Sequence, residues 1–195
     1  ATTESITLAQ SDVDTTITVT ASYTDLQLTA ETMISAATAA VANVNDLPTG
    51  TVTITGTNQQ GQVLTASNSL ADEDGMGTVT YLWSTGATTE SITLAQSDVG
   101  STITVTASYT DLQLTAETMT SAATTAVANV NDLPTGAVII TGTATEDQVL
   151  TASNSLADED GMGTVTYTWS TGATGDTITL AQSDVGSTIT VTASY

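Results

Sequence analysis

Two short acidic segments carry the residue types best suited to chemistry. Three carboxylates stand in a row at Asp72, Glu73 and Asp74, followed by Gly75, and the run returns at 158–161. Because Asp72 and Asp74 are two residues apart in a loop, their carboxylates can converge on one hard cation, and Gly75 permits a sharp turn. The pattern is not that of an EF-hand, since the glycine comes too early and no glutamate follows at the twelfth position. The loop is predicted to bind Ca²⁺, with a plain solvated acidic loop as the alternative.

Oxygen-rich linkers precede both prolines of the chain. The segment NVND at 43–46 stands before Leu47-Pro48, and it returns at 129–132. In a β-sandwich the loop between the second and third strands lies at the same end as the incoming linker, so each acidic loop should face one linker. The loop after the longest strand returns to this end and carries Asp111. With no Lys or Arg to pair with these oxygens, we predict Ca²⁺ at the junctions, with ligands from Asp72, Asp74, Asn43, Asn45, Asp46 and Asp111, and from Asp158, Asp160, Asn129, Asn131 and Asp132.

The composition excludes several classes of function. The 195 residues include 21 carboxylates and no Lys, Arg or His, which gives a net charge of -21. Nothing in such a chain could neutralise a phosphate, so nucleic acids and anionic membrane surfaces are excluded as partners. Without His, Cys, Lys or Arg, no serine or threonine has a conventional base to activate it, and the chain is predicted not to be an enzyme.

Alternating apolar residues predict strands throughout the chain. In Ser101–Asp111 the residues Ile103, Val105, Ala107 and Tyr109 share one face, opposite a face of Thr and Ser. Further strands are predicted at 51–57, 62–70, 78–84 and 91–96, and a last, irregular strand region at 116–130. No segment shows a helical period, so the predicted fold class is all-β, with antiparallel β-sandwiches. The aromatic side chains expected in the cores are Trp83, Trp169, Tyr81, Tyr109 and Tyr23.

The sequence repeats with a period of 86 residues. VANVNDLPTG begins at Val41 and again at Val127, a spacing of 86, and ADEDGMG shows the same spacing. We therefore predict the C-terminal part of one repeat at 1–46, a complete repeat at 47–132 and the N-terminal part of another at 133–195. The copies differ most at 58–61, NQQG, against 144–147, ATED. Because the chain starts and stops inside this pattern, we expect it to be a piece of something longer.

The motifs resemble those of known surface proteins. The N-V-N-D-L-P linker resembles the D-x-N-D-x-x-P junction of cadherins. Together with D-E-D-G, T-Y-x-W, L-A-Q-S-D-V-G and I-T-V-T-A-S-Y-T-D, it looks like the tandem immunoglobulin-like or cadherin-like repeats of giant bacterial surface adhesins. This resemblance implies a secreted, extended protein that external calcium orders. The chain departs from the pattern at Asn43, where the junction has Asp, and in the turn at 111–115, which lacks a glycine.

Three hypotheses about function follow. The first is a non-catalytic spacer repeat of a secreted bacterial adhesin or extracellular fibre, located at the cell surface and stiffened by calcium at its junctions. The second is a glycan- or surface-binding module, which would need exposed aromatic side chains. The third is a self-assembling extracellular filament subunit that uses strand complementation. The expected partners are neighbouring repeats of the same chain and, in a fibre, identical chains, without nucleic acid or membrane insertion.

Overall fold

The computed structural model describes residues 4–195, and these residues form short strands and turns. Every pairing between strands is antiparallel, and the described residues contain three short 3-10 helices but no α-helix. No helix in this range is long and apolar enough to cross a bilayer. The prediction of an all-β class built from antiparallel strands is therefore confirmed.

The strands are numbered in chain order. They are β1 (Thr20–Thr24), β2 (Ala30–Ile34), β3 (Val52–Gly56), β4 (Val63–Asn68), β5 (Thr80–Trp83), β6 (Ser91–Thr93), β7 (Val105–Thr110), β8 (Ala116–Thr120), β9 (Val138–Gly142), β10 (Val149–Asn154), β11 (Thr166–Trp169), β12 (Thr177–Thr179) and β13 (Val191–Ser194). The 3-10 helices span Gln10–Asp12, Gln96–Asp98 and Gln182–Asp184.

The described chain groups into two compact units. The first comprises residues up to Asn58, Gln62–Leu94 and Gly100–Val127, and the second comprises Gln59–Gly61, Ala95–Val99 and Ala128–Tyr195. The first unit holds the sheets β1-β2, β3-β4-β6 and β5-β7-β8. The second holds β12-β10-β9 and β11-β13. The division into repeats at 1–46, 47–132 and 133–195 stays a prediction.

The core of the first unit comes from the predicted inward positions. In the pairing of β5 with β7, Trp83 lies opposite Val105, and both side chains are buried. The Trp83 indole N–H donates to the carbonyl of Thr89 at 2.7 Å, so its one polar group is satisfied. The remaining buried apolar residues include Val52, Leu64, Ala66, Leu70, Ile92, Leu94, Ile103, Ala107 and Tyr109. Ile103, Val105, Ala107 and Tyr109, the face predicted for 101–111, are all buried, so period-two patterning identified this face correctly.

The core of the second unit is smaller and is built on Trp169. It packs with Leu150, Ala152, Ile178 and Leu180, and its indole N–H donates to the carbonyl of Gly175 at 2.9 Å. The aromatic anchor of each unit is thus buried in the same way.

The aromatic prediction was wrong for Tyr23. Tyr23 is 64% exposed, whereas Tyr109, its equivalent one period later, is 5% exposed. The difference arises because β7 is paired with β5 as well as β8, while β1 is paired only with β2. Tyr81 is half-buried, and its hydroxyl lies 2.6 Å from the amide nitrogen of Asn68.

The predicted strand at 116–130 ends at Thr120. Beyond it, the hydroxyls of Ser121 and Thr124 accept hydrogen bonds from the backbone N–H groups of Val105 and Ile103, at 3.1 and 2.9 Å. Side-chain oxygens thus take the place of carbonyls, and the regular ladder is interrupted. The interruption explains the poor apolar alternation after Thr120. It also explains why the predicted strand extended beyond the observed one.

Candidate cation sites in the acidic loops and linkers

The acidic loop of the first unit is closed by its own carboxylate. The N–H of Asp74 donates to Asp72 Oδ1 at 2.9 Å, and the N–H of Gly75 donates to the Asp72 carbonyl at 3.1 Å. Gly75 has φ +84°, and a Cβ there would lie 2.7 Å from Leu112 Cδ1. The positive φ at this position favours glycine, and a larger residue would also have to displace the exposed side chain of Leu112.

Asp74 joins the acidic loop to the linker. Its side chain is 4% exposed. Its Oδ2 accepts a hydrogen bond from the backbone N–H of Asp46 at 2.8 Å, and its Oδ1 accepts one from the amide of Gln10 at 2.7 Å. Loop 72–75 thus lies against linker 43–46, as the order of the strands predicted.

Asp72 faces the end of β7. The Tyr109 hydroxyl donates to Asp72 Oδ2 at 2.5 Å. Burial raises the pKa of Tyr109 well above its ordinary range, and the hydrogen bond to Asp72 and the charges of Asp72, Glu117 and Asp111 raise it further. Three carboxylates at this end of the unit therefore raise the pKa of one tyrosine hydroxyl.

Asp111 is the most deeply buried carboxylate, with 3% of its surface exposed. Its Oδ1 accepts a hydrogen bond from the N–H of Thr115 at 2.7 Å, which closes the hairpin between β7 and β8. Its Oδ2 is buried and has no hydrogen-bond partner, and the same holds for Oδ1 of Asn43 in the linker. Both atoms are oxygens that can only accept.

Glu117 completes the group of buried carboxylates. It lies on β8, and its Oε1 accepts a hydrogen bond from the amide of Asn45 at 2.8 Å. The linker is therefore held to the unit at both Asn45 and Asp46. The sequence analysis missed Glu117, because alternation alone does not distinguish a buried carboxylate from a solvated one.

The second unit has a similar arrangement around Asp160. Asp160 Oδ2 accepts a hydrogen bond from the N–H of Asp132 at 2.7 Å, and its Oδ1 lies 3.2 Å from the amide nitrogen of Gln96. The bond from the Asp132 backbone, followed by bonds from the side chains of Asn129 and Gln96, lowers the pKa of Asp160. Unlike Asp74, Asp160 is exposed.

The other predicted ligands of the second unit lie around this centre. Asp158 Oδ1 accepts from the N–H of Asp160 at 2.9 Å, and the Tyr195 hydroxyl donates to Asp158 Oδ2. Asn131 turns to its own linker and donates to the carbonyl of Asp132 at 2.9 Å. The structure thus brings Asp132, Asp158, Asp160 and Asn129 together and leaves Asn131 to the side.

Besides Glu117, the sequence pattern did not indicate the glutamine side chains of the two sites. Gln10 and Gln96 each donate to the second aspartate of an acidic loop. Both are the first residue of a 3-10 helix whose Asp side chain, Asp12 or Asp98, accepts from the backbone N–H of Ala9 or Ala95. The available signal was the repetition of Gln at positions 10, 96 and 182.

The oxygen atoms suit a hard cation. Among residues 4–195, no group of three or more His, Cys, Asp or Glu side chains is placed so that it could hold a metal ion. Calcium, however, also takes amide and backbone carbonyl oxygens, usually six to eight in all. Of the unpartnered oxygens, Asn43 Oδ1 is an amide oxygen and Asp111 Oδ2 is a carboxylate oxygen, and calcium takes both types as ligands.

Comparison with protein-family models, curated proteins and solved structures finds no match.

Proposed function

We propose that this chain is a run of non-catalytic spacer repeats from a secreted bacterial adhesin or extracellular fibre, whose junctions calcium stiffens. The observation that carries the proposal is the set of buried carboxylates in the first unit. Asp74, Asp111 and Glu117 are all buried, in a chain that has no cationic side chain at all.

Buried charge of one sign is unfavourable unless something compensates it. An ionised group taken out of water loses several kcal/mol of solvation, which hydrogen bonds and opposite charges normally offset. Asp74 has two strong donors, and Glu117 has one. Asp111 Oδ2 has none, so this oxygen is the point at which a cation would contribute most.

A cation at this point would draw on residues of the loop, the hairpin and the linker. Asp111 and Asn43 offer free oxygens, and Asp72 offers a carboxylate that Tyr109 already contacts. When bound, calcium would supply the positive charge that these oxygens lack and would tie linker 43–46 to the unit. A junction tied in this way resists bending, which is the property a spacer requires.

The remaining features favour a spacer over a specific recognition surface. Copies that differ at few positions suit a role in which number and length matter more than individual surfaces. Extracellular modules bind calcium with a Kd of roughly 10⁻⁴–10⁻³ M. Millimolar calcium outside a cell would fill such sites, which favours a location at the cell surface.

A self-assembling filament subunit is the second candidate. The observation in its favour is the exposed apolar face of residues 4–42, where Ile6, Leu8 and Val19 are 52%, 47% and 66% exposed. Their equivalents Ile92, Leu94 and Val105 are buried. A chain that shares strands would cover this face with another copy, and light scattering would then give a mass that grows with concentration, whereas a spacer stays monomeric.

Calcium titration of the whole chain tests the leading proposal. With calcium, the melting temperature should rise, and the maximum dimension from small-angle scattering should differ from that in EDTA. Asp111→Asn should remove most of the calcium response, whereas Glu90→Gln, which removes an exposed charge, should keep it. An unchanged melting temperature and an unchanged dimension in wild-type protein would exclude the calcium-stiffened spacer.

A further inference from the structure

The side chain of Gln60 binds two groups of the linker that leaves its repeat. Its Oε1 accepts a hydrogen bond from the N–H of Val130 at 3.1 Å, and its Nε2 donates to Asp132 Oδ2 at 2.8 Å. Its backbone N–H also donates to the carbonyl of Ala128 at 3.0 Å. One residue therefore holds the linker at three successive points, and it does so with a neutral group.

The same linker is also held by Asp160. The N–H of Asp132 donates to Asp160 Oδ2 at 2.7 Å, and Gln96 lies 3.2 Å from Asp160 Oδ1. Each carboxylate of the pair thus receives a donor from a glutamine amide. An amide N–H directed at a carboxylate supplies part of the positive charge that a cation would otherwise supply.

The next copy of the repeat has a different residue at this point. The position equivalent to Gln60 is Glu146, and the position equivalent to Gly61 is Asp147. A glutamate can still accept from a linker N–H, but it has no hydrogen to donate to a linker carboxylate. It would instead bring two negative charges within hydrogen-bonding distance, which is unfavourable unless a cation lies between them.

Glu146 also engages the glutamine of its own 3-10 helix. With its amide nitrogen facing the carboxylate, Gln182 donates to both oxygens of Glu146 at 2.9 Å. Gln182 is equivalent to Gln96, which in the preceding copy donates to Asp160. Glu146 thus accepts from a glutamine of its own repeat, whereas Gln60 donates to the carboxylate of Asp132.

We propose that the residue at position 60 of the chain determines whether linker 128–132 depends on a bound cation. Gln60 holds linker 128–132 by hydrogen bonds alone, whereas a glutamate at position 60 would make this linker depend on a bound cation. The inference deepens the proposed function and rests on it in taking calcium as the cation.

Hydrogen exchange of the Val130 and Asp132 amides, measured on the whole chain by NMR, tests this inference. In EDTA the wild type should keep both amides protected. Gln60→Glu should exchange at least about tenfold faster in EDTA, because a hydrogen bond to Asp132 is replaced by the repulsion of two carboxylates, and should regain protection in millimolar calcium chloride. Gln60→Ala should lose protection in EDTA and should not regain it with calcium. Gln62→Glu adds the same charge at an exposed position and should behave as the wild type.

Two results would overturn the inference. One is protection of Gln60→Glu in EDTA equal to that of Gln62→Glu, because the carboxylate pair would then need no cation. The other is a calcium effect on Gln60→Glu no greater than that on Gln60→Ala. The proposed function fails on a different result, namely the absence of any calcium effect on the melting temperature of the wild type. The hydrogen exchange rates of the Gln60 variants can still be compared in that case.

Discussion

Asp74 holds the backbone of Asp46: the linker N–H donates to its Oδ2 at 2.8 Å, across 28 residues of sequence. The other oxygen of the same carboxylate accepts from Gln10. One side chain thus connects the acidic loop of a repeat to the linker that enters it and to the 3-10 helix that precedes that linker. These two hydrogen bonds fix the positions of the acidic loop, the linker and the 3-10 helix relative to one another within the first unit.

Removing the Asp74 carboxylate should weaken the first unit more than the equivalent change weakens the second. Asp74→Ala leaves the Asp46 N–H and the Gln10 amide without an acceptor at a buried site, which should cost about 1.5–3 kcal/mol. Asp160→Ala affects an exposed carboxylate and should cost less than about 1 kcal/mol. Urea unfolding followed by Trp83 fluorescence, in a Trp169→Phe background, measures the first change. Equal losses for the two variants would contradict the difference in burial.

Trp83 should be the largest single contributor to the first core. Trp83→Ala removes a fully buried indole and its hydrogen bond to Thr89, and should destabilise the unit by about 3–5 kcal/mol. The matched control is Leu82→Ala, because Leu82 lies on the opposite face of β5 and is 53% exposed. That variant should change stability by less than about 0.5 kcal/mol. Thermal unfolding monitored by circular dichroism measures the stability of both variants. A loss of less than about 1 kcal/mol for Trp83→Ala would instead favour the binding-module hypothesis.

Replacing Leu114 with glycine should stabilise the first unit. Leu114 has φ +69° in the hairpin turn, a left-handed conformation that is unfavourable for residues with a side chain. Its side chain is 86% exposed, so burial of apolar surface does not offset this unfavourable energy. Leu114→Gly should stabilise the unit by about 0.5–1 kcal/mol, after the entropy cost of glycine is subtracted. Leu112→Gly, in the same turn but without a positive φ, should instead be destabilising. Melting temperatures of the two variants should therefore move in opposite directions.

Tyr109 should make the first unit sensitive to alkali. Burial and the hydrogen bond to Asp72 raise its pKa above the ordinary value of 10.0, so folding favours the neutral phenol. The stabilisation is fully present below pH 10 and is lost as pH rises through the folded-state pKa. Tyrosinate absorbance in metal-free protein should show a late component that coincides with unfolding. Tyr109→Phe should remove that component, and its persistence in this variant would assign it to another tyrosine.

The sequence by itself determined the class of the fold and the positions of the cores. Ile103, Val105, Ala107 and Tyr109 alternate with Thr and Ser, and only a strand with one buried face satisfies that pattern. The absence of Lys, Arg and His also determined that no carboxylate could be paired with a cationic side chain. The approach of the acidic loop to the linker followed from strand order, since consecutive antiparallel strands alternate between the two ends of a sheet.

Only the tertiary structure decided which oxygens are satisfied. Asp72, Asp74 and Asp111 look alike in sequence, yet one accepts a tyrosine hydroxyl, one accepts two N–H donors, and one keeps a buried oxygen without a partner. These differences depend on distances between segments up to 72 residues apart, as in the contacts of Gln60 with Asp132 and of Asn45 with Glu117. Local patterning carries no information about such pairs, because period-two alternation fixes which face a side chain occupies but not which atom it meets across the junction.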